Sequence, residues 1–466
     1  MVAVEPVGAS SSGVRLGEGP QASRVRGTTP LLNHRKVKAK NAGRKADDPP
    51  ANHSRTVLFL CGRGGGGHKA ASIALRDCLE RQGVSWAQGI EILDAGSLFD
   101  LMTSGSSSKL FDGDEWYNWF MKRGFYRIAG LCGYIATQAV RWRRRRLIAG
   151  FETMFRKRQP DVVVAFVPYF NVPTRTALLR TCPRRKLITV VTDMSNWAGG
   201  HLWIDPYDDD AINHIMVAGC PELVDQTRAL GYPEDNILIS SGMVVNPAFY
   251  EHYSEGSTSS AIVDPIDDPE NPFRRDGPAL ESIADARQRL GRERPLIMIF
   301  FGGFAPNRTA QICRKLLKSH PRCDQVILCG GNKQLETDLR RDLESLERPG
   351  PLCLVEGLVA AGRVREHMRR ASCVVGKPGP GVVAEANVCG VPFVTESRNV
   401  MPQERSVLRY IEKSGVGIVV KDFCKMPADL LERVKMCRRP LKQNRNRAVF
   451  EVARLIRHCV EHDEDD

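Results

Sequence analysis

Short apolar runs alternate with helix-length segments along most of this chain. Continuous apolar runs separated by helical segments are typical of parallel sheets with helices on both faces. The pattern therefore predicts an α/β fold of two doubly wound, Rossmann-like domains that face each other across a cleft. The predicted strands are residues 56–60, 89–93, 161–166, 186–191, 214–217 and 236–240 in the first half, and 296–301, 325–328, 352–355, 373–375, 392–395 and 417–420 in the second.

Breaks in that pattern suggest the domain boundaries. Residues 1–54 are rich in glycine, serine, proline and basic residues and lack hydrophobic periodicity, which predicts a disordered basic segment. The composition of this segment fits a flexible tail and also a transit peptide. The other predicted units are a Rossmann-like domain at 55–250, a linker or insertion at 251–290, a second Rossmann-like domain at 291–443, and a C-terminal helix with an acidic tail at 444–466.

Size, charge and cysteine pattern narrow the class of protein. With 466 residues the chain exceeds what one hydrophobic core usually serves, which agrees with two domains. The net charge of +13 favours an anionic partner, which nucleic acid, acidic lipid and sugar nucleotides would each satisfy. We expect neither a transmembrane helix nor a secretory signal. The fourteen cysteines include no Cys-x-x-Cys pair, so we expect reduced thiols and neither disulfides nor a zinc site.

A glycine-rich turn follows the first predicted strand and opens a helix. Residues 62–67 fit the G-x-G-x-x-G dinucleotide pattern in the strand–turn–helix context that the pattern needs. A P-loop is disfavoured, because His68 follows the glycines where that motif has lysine, and neither Ser nor Thr follows Lys69. A nicotinamide-dependent dehydrogenase, with Asp94 at the ribose, remains an alternative.

His68 itself is a candidate base. A histidine at a helix N-terminus has its pKa lowered by the helix dipole, so it stays neutral near pH 7 and accepts a proton. Gly65, Gly66 and Gly67 leave open space beside it, because glycine carries no side chain. The alternative is that His68 is a polar residue at the helix start, exposed to solvent.

A second glycine-rich turn lies between a strand and a helix in the other half of the chain. The turn comprises Gly376, Lys377, Pro378, Gly379, Pro380 and Gly381. Such a turn presents backbone N–H groups and the positive end of a helix dipole, which suit phosphates. Two turns of this kind, one in each half, predict an enzyme with a nucleotide in the cleft.

Three polar residues beyond the second turn are further candidates. Glu385 lies one helical turn beyond it and points back towards the turn, where a carboxylate accepts hydrogen bonds from ribose hydroxyls. Gln403 and Glu404 follow the next strand and offer donors and acceptors to a sugar. Each of the three is also explained as a solvated residue at a helix start.

Taken in order along the chain, these motifs resemble monogalactosyldiacylglycerol synthase. That family stands with the bacterial peptidoglycan N-acetylglucosaminyltransferases and the processive diacylglycerol glucosyltransferases in one inverting group with the GT-B fold. The resemblance runs from about residue 57 to residue 457. It is carried by Gly65-Gly66-Gly67-His68, Val191-Thr192-Asp193, residues 326–335, residues 377–386 and Pro402-Gln403-Glu404.

The resemblance implies a role for each donor-side candidate. Residues 376–381 would hold the diphosphate of a UDP-sugar, Glu385 the ribose, and Gln403 with Glu404 the sugar. No Asp-x-Asp stands beside this turn, so neither a metal nor a cofactor is expected.

The resemblance also implies the acceptor side. His68 corresponds to the family's acceptor-side histidine, with Gly65, Gly66 and Gly67 beside it. After Thr-Asp the family has a Cys–His–Pro run and a tryptophan. In this chain His201 and Trp203 stand nearest to that pattern, at a different spacing.

A stretch ahead of the third predicted strand mixes aromatic and basic residues. Such a mixture suits an interfacial helix on an anionic membrane. The residues expected at the membrane are Trp116, Trp119, Phe120, Trp142, Arg143, Arg144, Arg145 and Arg146. The alternatives are a core helix with a solvated basic end and a nucleic-acid patch.

The resemblance, together with these observations, implies an inverting glycosyltransferase. The expected reaction moves a hexose from a UDP-sugar to diacylglycerol or a related lipid, and galactose is the favoured hexose. His68 or Asp193 would act as the base. We expect an anionic membrane surface as a partner and no nucleic acid. The alternatives are transfer to another lipid or sterol, and a lipid-binding relative without activity. We expect a peripheral membrane protein facing a reducing compartment, at the plastid envelope if residues 1–54 are a transit peptide and otherwise in the cytoplasm.

Overall fold

The computed structural model describes residues 55–62, 66–94, 138–196, 202–250, 294–344, 351–398, 400–443 and 445–462. The predictions for residues 1–54 and 251–290 lie outside these ranges. So do those for five single residues: Gly65, Trp116, Trp119, Phe120 and His201. The boundaries drawn between domains remain predictions.

The described strands of the first half form one parallel sheet in the order β2-β1-β3-β4-β5-β6. They are β1 (Val57–Cys61), β2 (Glu91–Asp94), β3 (Val162–Ala165), β4 (Lys186–Val190), β5 (His214–Ala218) and β6 (Ile237–Ile239). The described helices of this half are α1 (Gly67–Arg81), α2 (Arg144–Arg158), α3 (Asn171–Thr181) and α4 (Pro221–Ala229).

The second half repeats this architecture with the strand order β12-β11-β10-β7-β8-β9. Its strands are β7 (Leu296–Phe300), β8 (Asp324–Leu328), β9 (Cys353–Glu356), β10 (Cys373–Val375), β11 (Phe393–Glu396) and β12 (Gly417–Val420). Its described helices are α5 (Thr309–Ser319), α6 (Lys333–Glu344), α7 (Ala361–Arg370), α8 (Pro380–Val388), α9 (Arg405–Ser414), α10 (Leu430–Met436) and α11 (Arg438–Lys442), and α12 (Ala448–Glu461) ends the described chain.

The strands form where the sequence predicts them because they are buried on both faces. Phe59 in β1 and Ile297 in β7 have no exposed surface, and the neighbours of each are equally buried. A parallel sheet covered by helices on both sides requires such continuous apolar strands. All twelve predicted strands are present, which confirms the α/β fold with two Rossmann-like sheets.

Each sheet has a point where the chain changes the direction in which it adds strands. This point lies between β1 and β3 in the first sheet and between β7 and β10 in the second. In open α/β sheets, ligands bind outside the carboxyl ends of the strands at such a point. The first glycine turn follows β1 and the second follows β10, so the topology places both turns where ligands are expected.

The last helix, α12, returns to the first half, where it packs against α1 and approaches β3. The N–H of Ser241 donates to the Glu451 carboxylate at 2.7 Å, and the ring centroids of Tyr250 and Phe450 lie 5.0 Å apart. The end of the chain is thus fixed to the first sheet.

Two further features bear on membrane and redox chemistry. No described helix is both long enough and apolar enough to cross a bilayer. None of the thirteen described cysteines forms a disulfide, and most are buried. Burial raises the pKa of Cys78 and of Cys373 to about 12, so both stay protonated near neutral pH.

Candidate functional site

The first glycine turn brings His68 to the carboxyl end of β1. Gly66 has a φ of 73°, a left-handed conformation that glycine adopts without strain, and it caps α1. Gly62 passes so close to the segment after β3 that a Cβ there would lie 3.3 Å from Val167. A Cβ on Gly66 or Gly67 would meet no described atom within 4 Å, so the space beside them is open.

His68 is held as a neutral imidazole. Its Nδ1 lies 3.1 Å from the Thr192 hydroxyl, and its ring centroid lies 5.6 Å from that of Trp203. Burial lowers its pKa to about 4, against the opposing effect of a hydrogen bond with the backbone of Phe166. The sequence argument also expected a lowered pKa for His68 but attributed it to the helix dipole, whereas the cause is burial away from solvent.

Asp193 follows β4 and lies beside the same tryptophan. The indole N–H of Trp203 donates to Oδ2 of Asp193 at 2.8 Å. Burial raises the pKa of Asp193 to about 6, and Glu404 adds to this effect, whereas the Trp203 hydrogen bond and Lys377 lower the pKa. Asp193, His68 and Trp203 therefore form one group.

Two buried asparagines hold the backbone around Trp203. Oδ1 of Asn196 accepts from the N–H groups of Trp203 and Ile204, at 2.8 and 2.9 Å. Nδ2 of Asn171, the first residue of α3, donates to the Trp203 carbonyl at 2.5 Å. The sequence analysis missed both asparagines, because neither carries a charge and folding alone brings their partners near. Asn171 stands in an apolar stretch, whereas Asn196 follows Asp193 by three residues.

The second glycine turn opens α8 at the carboxyl end of β10. Gly376 passes against the carbonyl of Phe300 so closely that a side chain has no room there. The amide of Gly379 is already used within the turn, because it donates to the Lys377 carbonyl at 2.7 Å. Pro380 has no N–H, so the donors left for an anion are the first-turn amides of Gly381 and Val382. This corrects the expected donor set, which included Gly379.

Glu385 lies one helical turn beyond these amides. No hydrogen bond or ion pair of its side chain occurs with the described residues. Burial alone raises its pKa to about 8. A partly buried carboxyl without a partner is costly, so a donor from a ligand would stabilise its charged form.

Lys377 and Glu404 are joined by an ion pair, with Nζ 2.9 Å from Oε1. The other oxygen of Glu404 accepts from the N–H of Met401 at 3.1 Å, and the side chain is buried. Gln403 is less buried than Glu404 and lies beside it. Both oxygens of Glu404 are thus engaged by the protein, which leaves Gln403 as the more accessible of the pair.

The two halves meet around these groups. Asp193 belongs to the first half, yet its pKa responds to Lys377 and Glu404 of the second half. Farther along the interface, Arg409 and Glu222 form an ion pair at 2.9 Å. A cavity of about 390 Å³ lies between α4 and β6 of the first half and α8 and α9 of the second. The cleft expected from the sequence therefore lies between the halves, and its cavity is lined by Met194, next to Asp193, and by Ala384, next to Glu385.

Two other expectations concern metal and membrane. Within the described ranges, no group of His, Cys, Asp and Glu has the geometry of a metal site. Trp142 is 82% exposed, and the guanidinium of Arg143 lies 5.5 Å from its ring centroid. Arg144, Arg145 and Arg146 are exposed in the first turn of α2.

Comparisons with known proteins identify relatives of the whole described fold. No family model matches the chain. It is 22% identical over 455 residues to monogalactosyldiacylglycerol synthase 3, chloroplastic, of Arabidopsis thaliana. This alignment covers 92% of this chain and 86% of the relative. It is 25% identical over 451 residues to monogalactosyldiacylglycerol synthase 1, chloroplastic, of the same plant, with 91% and 70% covered. It is 26% identical over 311 residues to the processive diacylglycerol beta-glucosyltransferase of Bacillus mycoides (strain KBAB4), with 65% and 67% covered.

One solved structure bears on the fold. A crystal structure from Listeria monocytogenes, whose description names a UDP-N-acetylglucosamine 2-epimerase, superposes with a TM-score of 0.50 at 14% identity, covering 89% of this chain and 98% of that one. At this identity the likeness supports the two-domain fold alone. The relatives and the fold confirm the resemblance found in the sequence: the chain is a homologue of the monogalactosyldiacylglycerol synthases and has the GT-B architecture.

Proposed function

We propose that this protein is an inverting glycosyltransferase that moves a hexose from a UDP-sugar to diacylglycerol. Galactose is the hexose that we favour. One observation carries the proposal: Asp193 lies within electrostatic reach of Lys377 and Glu404, although they belong to different halves. A candidate base of one half and an anion-binding turn of the other therefore border the same space.

The second half offers complementary groups to a UDP-sugar. The amides of Gly381 and Val382 point out of the N-terminus of α8, where the helix dipole favours a diphosphate. Glu385 lacks a partner among the described residues, and ribose hydroxyls would supply donors to it. Gln403 is assigned to the sugar, because the protein itself occupies both oxygens of Glu404.

Asp193 is the better candidate for the base. With a pKa of about 6 it is ionised at neutral pH and still basic enough to accept a hydroxyl proton, whereas the imidazole of His68, with a pKa of about 4, is a weaker base. His68 then serves as a neutral hydrogen-bonding group beside the acceptor.

The proposed step is a single displacement. The acceptor oxygen attacks the anomeric carbon from the face opposite the diphosphate while Asp193 takes the hydroxyl proton. The bond between the anomeric carbon and the diphosphate oxygen breaks, and UDP leaves with the electron pair. Its charge is met by the amides of Gly381 and Val382 and by Lys377. These groups supply the stabilisation without a metal or a cofactor.

The names of the relatives support the acceptor more firmly than the sugar. Diacylglycerol stands in the names of all three reported relatives, whereas one name specifies glucose and the others galactose. Chloroplastic stands in the names of the plant relatives, which supports a plastid membrane, with the cytoplasm as the alternative.

Attachment to an anionic membrane surface is proposed from the start of α2. Arg144, Arg145 and Arg146 lie in the first helical turn, where the helix dipole favours acidic residues and where none is present. Buried residues of the same helix, Leu147 and Phe151, fix it to the core. An external anionic surface therefore explains these arginines and the exposed Trp142 beside them.

The test is transfer on vesicles. The full chain is mixed with vesicles of phosphatidylcholine, phosphatidylglycerol and diacylglycerol, with EDTA and with radiolabelled UDP-galactose or UDP-glucose in separate arms. We expect a labelled monogalactosyldiacylglycerol of β configuration, because the reaction inverts an α-linked donor. Asp193→Asn is the inactive control, and Asp235→Asn, at an exposed carboxylate just before β6, on the edge of the sheet opposite the carboxyl ends, is the matched control that should stay active.

Each outcome of this test has a consequence. A glucosylated product would replace galactose, and dependence on added Mg²⁺ would contradict metal-free transfer. No labelled lipid in any arm, together with no thermal protection by UDP, would contradict the proposed function.

A further inference from the structure

Trp203 touches both candidate proton acceptors. Its indole N–H donates to Asp193, its ring lies against His68, and none of its surface is exposed. A buried tryptophan usually finds a partner for its N–H, and here the partner is a carboxylate that borders the open cleft.

The backbone at Trp203 is fixed from both sides. Asn196 receives two N–H groups on Oδ1 and donates Nδ2 to the Ile204 carbonyl at 2.8 Å. Asn171 donates to the Trp203 carbonyl and accepts, at 2.8 Å, from the hydroxyl of Thr189 in β4. Asp193 follows the same strand, so one network orients the carboxylate and the indole.

The network continues into the core. The Thr189 hydroxyl also lies 2.8 Å from Nε2 of His214, whose Nδ1 lies 3.1 Å from the Tyr232 hydroxyl. Arg175 donates to that hydroxyl at 3.2 Å and to Asp208 at 2.7 Å. Such an extended buried network strongly favours a single arrangement of Asn196 and Trp203.

We propose that Trp203, anchored by Asn171 and Asn196, is a positioning residue for Asp193: its N–H fixes one carboxylate oxygen and leaves the other directed at the acceptor hydroxyl. This inference rests on the proposed glycosyl transfer. It gives Trp203 a role through Asp193, in place of the acceptor contact that the sequence suggested.

The hydrogen bond has a consequence for the pH dependence. The charged groups that face Asp193 are Lys377 and Glu404 of the second half, and His68 of α1 is neutral above about pH 4. The indole N–H stabilises the ionised carboxylate, so its loss raises the pKa of Asp193 and moves the acid limb of the rate profile to higher pH.

The test is Trp203→Phe, which keeps an aromatic ring and removes the N–H. We expect the acid limb of the kcat profile to rise by roughly one pH unit, which by itself lowers kcat at pH 6.5 about threefold. The lost orientation of the carboxylate should bring the total fall to roughly tenfold, and KM for the UDP-sugar should stay unchanged. Trp86→Phe is the matched control, because the Trp86 indole N–H is buried without a partner among the described residues. An acid limb identical to the wild type in a folded Trp203→Phe would overturn the proposal.

Asn171→Ala provides a second variant in case Trp203→Phe does not fold. It leaves the indole in place and removes one anchor of its backbone. We expect a smaller shift of the acid limb in the same direction, with thermal protection by UDP retained. A loss of thermal stability without any change in the pH profile would show a merely structural role and overturn the proposal.

A readout independent of transfer separates this inference from the proposed function. In protein labelled with ¹⁵N-tryptophan, the indole resonance that is missing from Trp203→Phe should shift with pH near 6 and lose this shift in Asp193→Asn. If transfer fails and this titration is seen, the hydrogen bond stands and the proposed function falls. If the pH dependence of this indole resonance is the same in Asp193→Asn as in the wild type, the positioning role is contradicted directly.

Discussion

The two glycine turns differ in how the chain uses the polar groups beside them. At the first turn, His68 is bound to Thr192 and Asp193 to Trp203. At the second, Glu385 and the opening amides of α8 have no partners among the described residues. The side proposed to move a proton is therefore organised by the protein itself, whereas the side proposed to bind the nucleotide has polar groups left for a ligand to complete.

This difference has an energetic meaning. Groups that the protein orients in advance need no rearrangement when the transition state forms, which favours rate. Groups left buried without partners destabilise the free protein and gain most when a ligand supplies the missing hydrogen bonds. Changes at the first turn should alter kcat, and changes at the second should alter nucleotide binding and stability.

The largest expected effect is that of Asp193→Asn. Loss of the base should lower kcat on the order of 1,000-fold, while UDP still protects the protein thermally. His68→Gln should cost less, because the imidazole is the weaker base. Single-turnover transfer with each variant measures the ranking, and a larger loss in His68→Gln would assign the base to the histidine.

A smaller effect is expected on membrane binding. Replacing Arg144, Arg145 and Arg146 by glutamine should weaken binding to anionic vesicles roughly 100-fold, at about 1 kcal/mol per arginine. Changing the exposed Arg438 and Arg439 of α11, with Lys442, removes the same charge elsewhere and should change binding little. Vesicle sedimentation at two salt concentrations measures both. If both sets of replacements weaken vesicle binding equally, binding depends on net charge alone and not on the position of these arginines.

The smallest effect concerns the stability of the free protein. The pKa of Glu385 is raised to about 8, so between its ordinary pKa and about pH 8 the unfolded chain gives up this proton more readily than the folded one. Stability from this group is complete at low pH and is lost as the pH rises through 8. Glu385→Gln should therefore be more stable than the wild type at pH 8, by about 2 kcal/mol, since partial exposure reduces the full effect.

Urea denaturation at pH 5 and pH 8 measures that difference. Glu366→Gln, at a carboxylate already paired with Arg363 and Arg370, is the control and should gain no stability at pH 8. A Glu385→Gln variant that is equally stable relative to the wild type at both pH values would show that the carboxyl is solvated.

The fold followed from the sequence more completely than the site did. Short continuous apolar runs such as that of β1, separated by helix-length segments, are typical of buried parallel strands, so the sheets were predictable. The glycine turns were predictable because their backbone needs glycine. Asn171 and Asn196 were not, because only the folded chain brings near their partners, which are backbone groups and, for Asn171, also the Thr189 hydroxyl. The burial that sets the pKa of Asp193 also depends on contacts distant in sequence.

The central claim is that the second glycine turn, and not the first, binds the nucleotide, with Asp193 facing it. Hydrogen–deuterium exchange of the full chain with and without UDP tests it most directly. The account predicts slower exchange in residues 380–385 when UDP is present, and little change in residues 66–70. Protection at the first turn with none at the second would contradict it, and would favour a dinucleotide at the pattern after β1.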